Sequence, residues 1–401
     1  MAAPQQMTQQ QQVAINQVYR DTIVNGALKK TQQIFNTVVN PANQTVVNIS
    51  PQNVGLILGF LVNVRQNIAV AMGGTPLTLT PNGGSNVLSQ IMFQDLQNNV
   101  RIQAGGWAIG ELNTVRGGMP YLSVDTFNSS TNYPVAYGQT YLNLMKSAAT
   151  IAASANSDVN FTYWVPLAYA DNDLRGAVYA NVVNATLNLQ LTINPATVAI
   201  RSLSNWQGAV YCTADGSTAP SGVTQGNVTI TVYQVYYDQL PMSPKGGVLL
   251  PWLDLQTIYD LKTTALPSGL VVTNDYPIAY PNFRDILATY VQYVNKSATA
   301  AAFGATTDVS YFSLTAANYT NVLKVEPYVA ASYGRLTTGF DFPTNSFYFP
   351  TRLKPISTVQ LGNMNLNLNP ADVQSGAFVS VFFESFSLTN VIGQAASLPP
   401  G

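Results

Sequence analysis

The chain has 401 residues, of which 47% are hydrophobic and only 9% charged, where an ordinary soluble domain carries about 25%. Seventeen Lys+Arg stand against 18 Asp+Glu, so the cationic field that displaces counterions from phosphates is missing, which argues against sequence-specific nucleic-acid binding. With no histidine and a single cysteine, Cys212, the chain lacks imidazole bases, Ser-His or Cys-His nucleophile systems, thiolate metal clusters and any intrachain disulfide.

Residues 1–12 are Gln-rich, carry neither the basic start nor the apolar core of a secretory signal, and read as a disordered lead. Ile23, Val24, Ala27, Leu28, Thr31, Ile34, Phe35 and Val38 then recur at 3.6-residue periodicity, which predicts an amphipathic helix from Ile15 to Val39 that Pro41 stops. Beyond it, short runs of Val, Ile, Thr, Tyr and Phe alternate with clusters of Asn, Gly, Pro and Ser, the pattern of β-strands and turns. Strands are predicted at Val54–Val64, Asn86–Phe93, Val100–Ile109, Asn160–Val165, Ala185–Ile193 and Val228–Tyr237. The Val54–Val64 run is also the longest apolar one and reaches about half of the roughly 20 residues that span a bilayer, so a soluble chain is expected.

Around Pro241 to Pro251 the strand pattern stops, and the apolar spacing of Trp252 to Lys262 suits a short helix at a domain junction. Strands resume at Ile286–Val294, Val309–Leu314, Ser346–Phe349, Val359–Leu368 and Phe378–Phe386. Asn194-Pro195-Ala196 and Asn369-Pro370-Ala371 each precede a last aromatic strand, at an offset of 175 residues, which suggests duplication, although the same triplet also stands at Asn40-Pro41-Ala42. The expected organisation is an N-terminal arm with a helix at 1–42, a β unit at 43–243, a linker with a short helix at 244–265, a second β unit at 266–389 and a tail at 390–401. Two large all-β units in tandem point to paired jelly rolls or paired immunoglobulin-like sandwiches, the latter lacking its usual cysteine pair.

Candidate chemistry is sparse. Asp171-Asn172-Asp173 has a spacing that can hold Ca²⁺, but it lacks the Gly and distal Glu of an EF-hand loop and reads as a turn. Glu111, Glu326 and Glu384 would need to meet in pairs to hydrolyse a glycoside and read instead as solvated or interface carboxylates. Arg116-Gly117-Gly118 lacks the setting of a phosphate cradle and reads as a loop. Sequons such as Asn48-Ile49-Ser50 and Asn160-Phe161-Thr162 are expected by chance in so Asn-rich a chain. No catalytic residue, cofactor or metal site is expected. The N-terminal helix carries Arg20, Lys29 and Lys30 against Asp21 and offers Ile23, Leu28, Ile34 and Phe35 as a docking stripe for a neighbouring protein, for an anionic membrane surface or for the chain's own β unit, protein contact being the first expectation. Few charges and many aromatics, 22 Tyr and 16 Phe among them, match the composition of interface cores and point to assembly.

Several segments carry a resemblance: Asn40-Pro41-Ala42-Asn43, Pro51-Gln52-Asn53-Val54-Gly55, Gly59-Phe60-Leu61-Val62 and Tyr163-Trp164-Val165-Pro166-Leu167-Ala168-Tyr169. Asp173-Leu174, Gly176-Ala177-Val178, Thr231-Val232-Tyr233-Gln234, Asp238-Gln239-Leu240-Pro241, Leu250-Pro251 and Leu253-Asp254-Leu255 extend it. Together they resemble the major capsid proteins of tectiviruses, tailless phages that enclose a membrane vesicle, and the branch with Gram-negative hosts in particular. The resemblance implies an all-β fold of two eight-stranded jelly rolls in tandem, with the N-terminal amphipathic helix and the short linker helix. It implies a homotrimer of pseudo-hexagonal outline that packs with neighbouring trimers and with minor capsid and vertex proteins. It also implies an icosahedral shell, assembled in the host cytoplasm around genome and membrane, with both terminal arms beneath it near the internal membrane. A lectin-like or host-attachment β protein and a carboxylate-dependent glycosidase are the competing expectations.

Overall fold

The computed structural model describes residues 7–43, 45–117, 150–181, 186–202, 208–213, 219–265, 270–272, 274–295, 304–316, 319–339, 342, 345–351, 355–374 and 377–388. The expected tail at 390–401 lies outside them. In the first unit, alternation decides the burial. Along β3 (Leu56–Val70), Phe60, Val62, Val64, Ile68 and Val70 turn inward and are buried, while Arg65 and Asn67 on the other face are exposed. β3 pairs on one side with β13 (Val223–Asp238) and on the other with β8 (Asn156–Pro166), and β1 (Leu28–Val39) closes the sheet in the order β1–β13–β3–β8, with β9 (Val178–Tyr179) added to β3. The sheet packed against it runs β2 (Val46–Ile49), β10 (Asn188–Ile193), β5 (Leu88–Gln94), β6 (Val100–Ala104). A small sheet of β11 (Ile200–Arg201), β12 (Tyr211–Thr213), β4 (Leu77–Leu79) and β7 (Thr150–Ile151) covers one end.

The second unit repeats the connectivity. β14 (Thr257–Ala265), β22 (Phe378–Leu388), β16 (Asp285–Val294) and β19 (Ser346–Pro350) form one sheet, with β20 (Ile356–Ser357) on β16. β15 (Tyr276–Ala279), β21 (Met364–Pro370), β17 (Val309–Ala316) and β18 (Tyr319–Val325) form the other. With the eight principal strands of each unit numbered in chain order, both units place the first, eighth, third and sixth in one sheet and the second, seventh, fourth and fifth in the other. That is the jelly-roll topology, twice. The Asn-Pro-Ala triplets fall at or just after the ends of the two seventh strands, β10 and β21.

The two rolls share one continuous sheet, because β6 pairs in parallel with β14 through Leu261 opposite Ile102 and Lys262 opposite Gln103. The shared sheet carries one roll's core on one face and, in its second-unit half, the other roll on the opposite face. Val379, Val381 and Phe383 of β22 join the second-unit core, whereas Phe382 and Phe386 join the first-unit core with Tyr259, Leu261, Tyr290 and Tyr348. Fully burying a side chain of this size contributes about 1.5–3 kcal/mol, so this largely aromatic set contributes strongly to holding the rolls together.

The predicted helix from Ile15 to Val39 is corrected. The helix, α1 (Gln9–Gly26), starts within the expected disordered lead, where Thr8 and Gln11 form a capping box, and it ends before Leu28 begins β1. The period misled because a β-bulge between Gln33 and Phe35 shifts the alternation by one residue, so Ile34 and Phe35 sit next to each other as they would on a helical stripe. The expected strand Val100–Ile109 is likewise cut at Ala104, and α2 (Gly106–Gly117) follows at once. In the linker only Trp252–Leu255 is helical, and the β-branched run from Thr257 becomes β14. Residues 358–361 form a helical turn ahead of β21 rather than its start.

Candidate functional site

The densest chemistry of the chain lies where α2 and the first roll meet the outer face of β14–β22–β16–β19. α2 enters between β6 and β8 of its own roll and buries Ala108, Ile109 and Leu112 in the first-unit core. Its Trp107 meets Phe382 edge-on, with ring centroids 6.5 Å apart. At its C-terminal end, where a cation complements the helix dipole, Arg116 forms an ion pair with the fully buried Glu384 of β22 and donates to the backbone carbonyl of Tyr169. The same guanidinium lies 4.1 Å from the Tyr169 ring centroid and 4.8 Å from that of Tyr259. Arg175 stacks over Phe386 at 4.3 Å from the other side. Two cations, two tyrosines and a phenylalanine thus interleave between the rolls; the Arg116 contacts are largely shielded from water, whereas Arg175 is partly exposed.

Half-way along α2, Glu111 is buried. Its Oε1 accepts from Gln292 Nε2 of β16 at 2.8 Å, from Ser346 Oγ of β19 at 2.9 Å and from Asn82 Nδ2 at 3.4 Å. Its Oε2 has no hydrogen-bond partner among the described residues. Burial disfavours the anion more than these three neutral donors favour it, and the carboxyl is pushed up to about 7. Arg101 and Asp95 make a second buried pair at 2.7 Å, and Arg101 Nη1 donates to the Gly176 carbonyl.

The residues singled out in the sequence are distributed otherwise. Ile23 is fully buried among Leu56, Leu58, Leu174, Val235, Tyr237 and Leu250. Arg20 lies 3.7 Å from Asp254, Lys29 is bound to Asp171 at 2.6 Å and Lys30 to Asp238 at 2.5 Å, so the three cations of the expected arm meet carboxylates of the chain's own body. Asn16 also bonds Asp254 Oδ1 and the Leu253 amide, which seats α1 on the linker turn. Ile34 and Phe35 pack, partly buried, on the first-unit core, and Leu28 is exposed at the start of β1. The part of α1 that stands clear of the body precedes Asn16, with Val13 and Ile15 exposed.

No carboxylate pair of the kind glycoside hydrolysis needs is assembled from Glu111, Glu326 and Glu384. Glu384 is committed to Arg116 and Glu111 to amides and a hydroxyl, while Glu326 is exposed at the start of α3 (Pro327–Thr338). Asp171-Asn172-Asp173 is a turn whose Asp173 is held by Arg175, and among the described residues no group of three or more His, Cys, Asp or Glu is placed to hold a metal. Sequence reasoning missed Arg116 and Arg101 as structural ions. Neither carries a local signal beyond being one of few cations in a chain with 9% charge, because each meets its carboxylate through the fold.

Two family descriptions match the chain, P3 major capsid protein N-terminal over residues 1–240 and P3 major capsid protein C-terminal over residues 256–398. The major capsid protein P3 of Enterobacteria phage PRD1 is 32% identical over 407 residues, covering 99% of both chains. Among solved structures, the STIV MCP is similar with a TM-score of 0.61 at 12% identity, over 92% of this chain and all of that one. The PBCV-1 virus capsid is similar with a TM-score of 0.53 at 9% identity, over 90% and 94% of the two chains.

Two outcomes follow for the junction. The raised acid of Glu111 stabilises the native state below its unfolded value of 4.5, and that contribution, about 3 kcal/mol, is lost as pH rises to about 7. Glu111→Gln, which keeps the acceptor, should remove this slope from the pH dependence of the urea midpoint; an unchanged slope contradicts the assignment. Arg116→Met should cost about 3–5 kcal/mol by removing the cation paired with the buried Glu384, and adding Glu384→Leu should restore most of it, as a double-mutant cycle in urea will show.

Proposed function

The chain belongs to the P3 major capsid protein family and has the structural role of a viral capsid protein, and on that premise we propose that it acts as a homotrimer whose six jelly rolls form a pseudo-hexagonal block. The observation that carries this reading is the double roll itself. Two units of equal topology, fused side by side through the β6–β14 pairing, make one third of a six-membered ring. A heterologous contact repeated by threefold rotation closes that ring and satisfies every flank at once. The charge-poor composition supports it, since such flanks are cheap to desolvate. In this reading the blocks tile an icosahedral shell around genome and membrane, against minor capsid and vertex proteins, after assembly in the host cytoplasm. The free start of α1 and the tail at 390–401 serve as arms toward neighbouring trimers and the membrane surface.

The purified protein should have three times the 43.1 kDa chain mass by native mass spectrometry and show hexagonal outlines in electron micrographs. A stable monomer at micromolar concentration rejects the trimer. Removing residues 1–15 should leave the trimer and prevent shell closure, whereas removing 1–38 also deletes nearly all of β1, which pairs with β13 along its length, and should abolish folding. A 1–38 deletion that melts like the full chain would show that β1 is dispensable.

A further inference from the structure

We infer that the exposed face of α3 seats on the outer face of the first-roll sheet β1–β13–β3–β8 of a second copy of this chain, an inference that rests on the trimeric reading above. Three observations converge on it. The first is position: α3 lies between β18 and β19 of the second roll just as α2 lies between β6 and β8 of the first, the fifth and sixth principal strands in each case. α2 is clamped between its own roll and the next sheet. α3 buries Ala330 and Gly334 toward its own roll and leaves Tyr328, Val329, Tyr333 and Leu336 at 59%, 46%, 50% and 82% exposure. Val329, Tyr333 and Leu336 fall at i, i+4 and i+7 with Tyr328 adjoining, which makes a single stripe.

The second observation is the sheet that would receive it. On the covered outer face of the second roll, one row across three strands is Phe382, Tyr290, Tyr348 and the next is Ser380, Gln292, Ser346. The corresponding strands of the first roll carry Tyr233, Leu61, Trp164 and then Thr231, Asn63, Thr162. An apolar row followed by a neutral polar row therefore occurs on both faces in the same strand order. In the second roll both rows are buried, under α2 and the first roll; in the first roll all six residues are only partly covered.

Charge is the third. The rows lie between the Lys30–Asp238 pair toward one end and the Arg65–Asp158 pair toward the other, so the middle of the face presents no charge to desolvate. α2 offers Trp107, its second residue, to the apolar row of the second roll through Phe382, and the second residue of α3 is Tyr328. A second copy is thus the occupant whose chemistry is already seen to fit, inside this chain, and threefold repetition lets each α3 find one sheet and each sheet one α3.

The test uses the full-length chain. Tyr333→Glu with Leu336→Glu, both exposed, should weaken trimer association at least about 100-fold by mass photometry while leaving a folded monomer; Met72→Glu, at an exposed apolar site elsewhere, should leave the trimer intact. Hydroxyl-radical labelling of the unmodified trimer should find Trp164 and Tyr328 oxidised more slowly than the exposed Phe283. If the unmodified chain is not a trimer, the trimeric reading falls and this docking falls with it. If it is a trimer and the α3 variant associates as tightly, or Trp164 and Tyr328 oxidise as fast as free side chains, the docking alone is overturned.

Discussion

One sheet, β14–β22–β16–β19, is buried on both faces, and the rest of the architecture answers to that constraint. Alternate residues of a strand point to opposite sides, so a sheet with a core on each side must bury side chains of both parities and carry large apolar ones toward each core. β16 and β22 meet this demand with Val291, Tyr293, Val381 and Phe383 toward one roll and Tyr290, Phe382 and Phe386 toward the other. The second roll therefore cannot swing away from the first without exposing a row of aromatic rings. The chain is a rigid pair of barrels because its two cores share a wall.

The same constraint explains the few ions of the interior. On the face of the shared wall turned to the first roll, Gln292, Ser346 and Glu384 are buried from water and find their partners in that roll. Gln292 and Ser346 are met by Glu111, and Glu384 by Arg116. Such groups add little net stability when complete and cost several kcal/mol when one partner is lost. They fix the alignment of the two rolls more than they strengthen it. Gly55 plays a comparable part in the backbone: its φ of +58° and a Tyr237 carbonyl oxygen 2.2 Å from where a Cβ would stand leave room for no other residue at the entry to β3.

For a capsid protein, rigidity inside the subunit leaves recognition to the outside. The first-roll sheet presents a half-covered apolar row, α3 presents an exposed apolar stripe, and the start of α1 stands clear of the body. These surfaces are poor in charge, with Arg335 the one cation of α3, so burying them costs little desolvation, and shape does more than charge to decide what fits.

The sequence by itself determined the class of this protein: composition ruled out thiolate metal clusters and histidine chemistry, alternation located eleven principal strands, and two Asn-Pro-Ala triplets 175 residues apart fall at the ends of equivalent strands. Those features are local, because period and turn chemistry act within a few residues. It misplaced β1, where a bulge imitates a helical period, and β14, whose residues read as a helix, since in both the pairing partner rather than the local pattern sets the conformation. It could not reveal that Arg116 meets Glu384 across 268 residues, or that Arg20, Lys29 and Lys30 are taken up by Asp254, Asp171 and Asp238. Only the tertiary structure decided those, because a charge chooses its partner by proximity in the packed fold, and the strand order that creates the proximity is settled by the whole set of sheets at once.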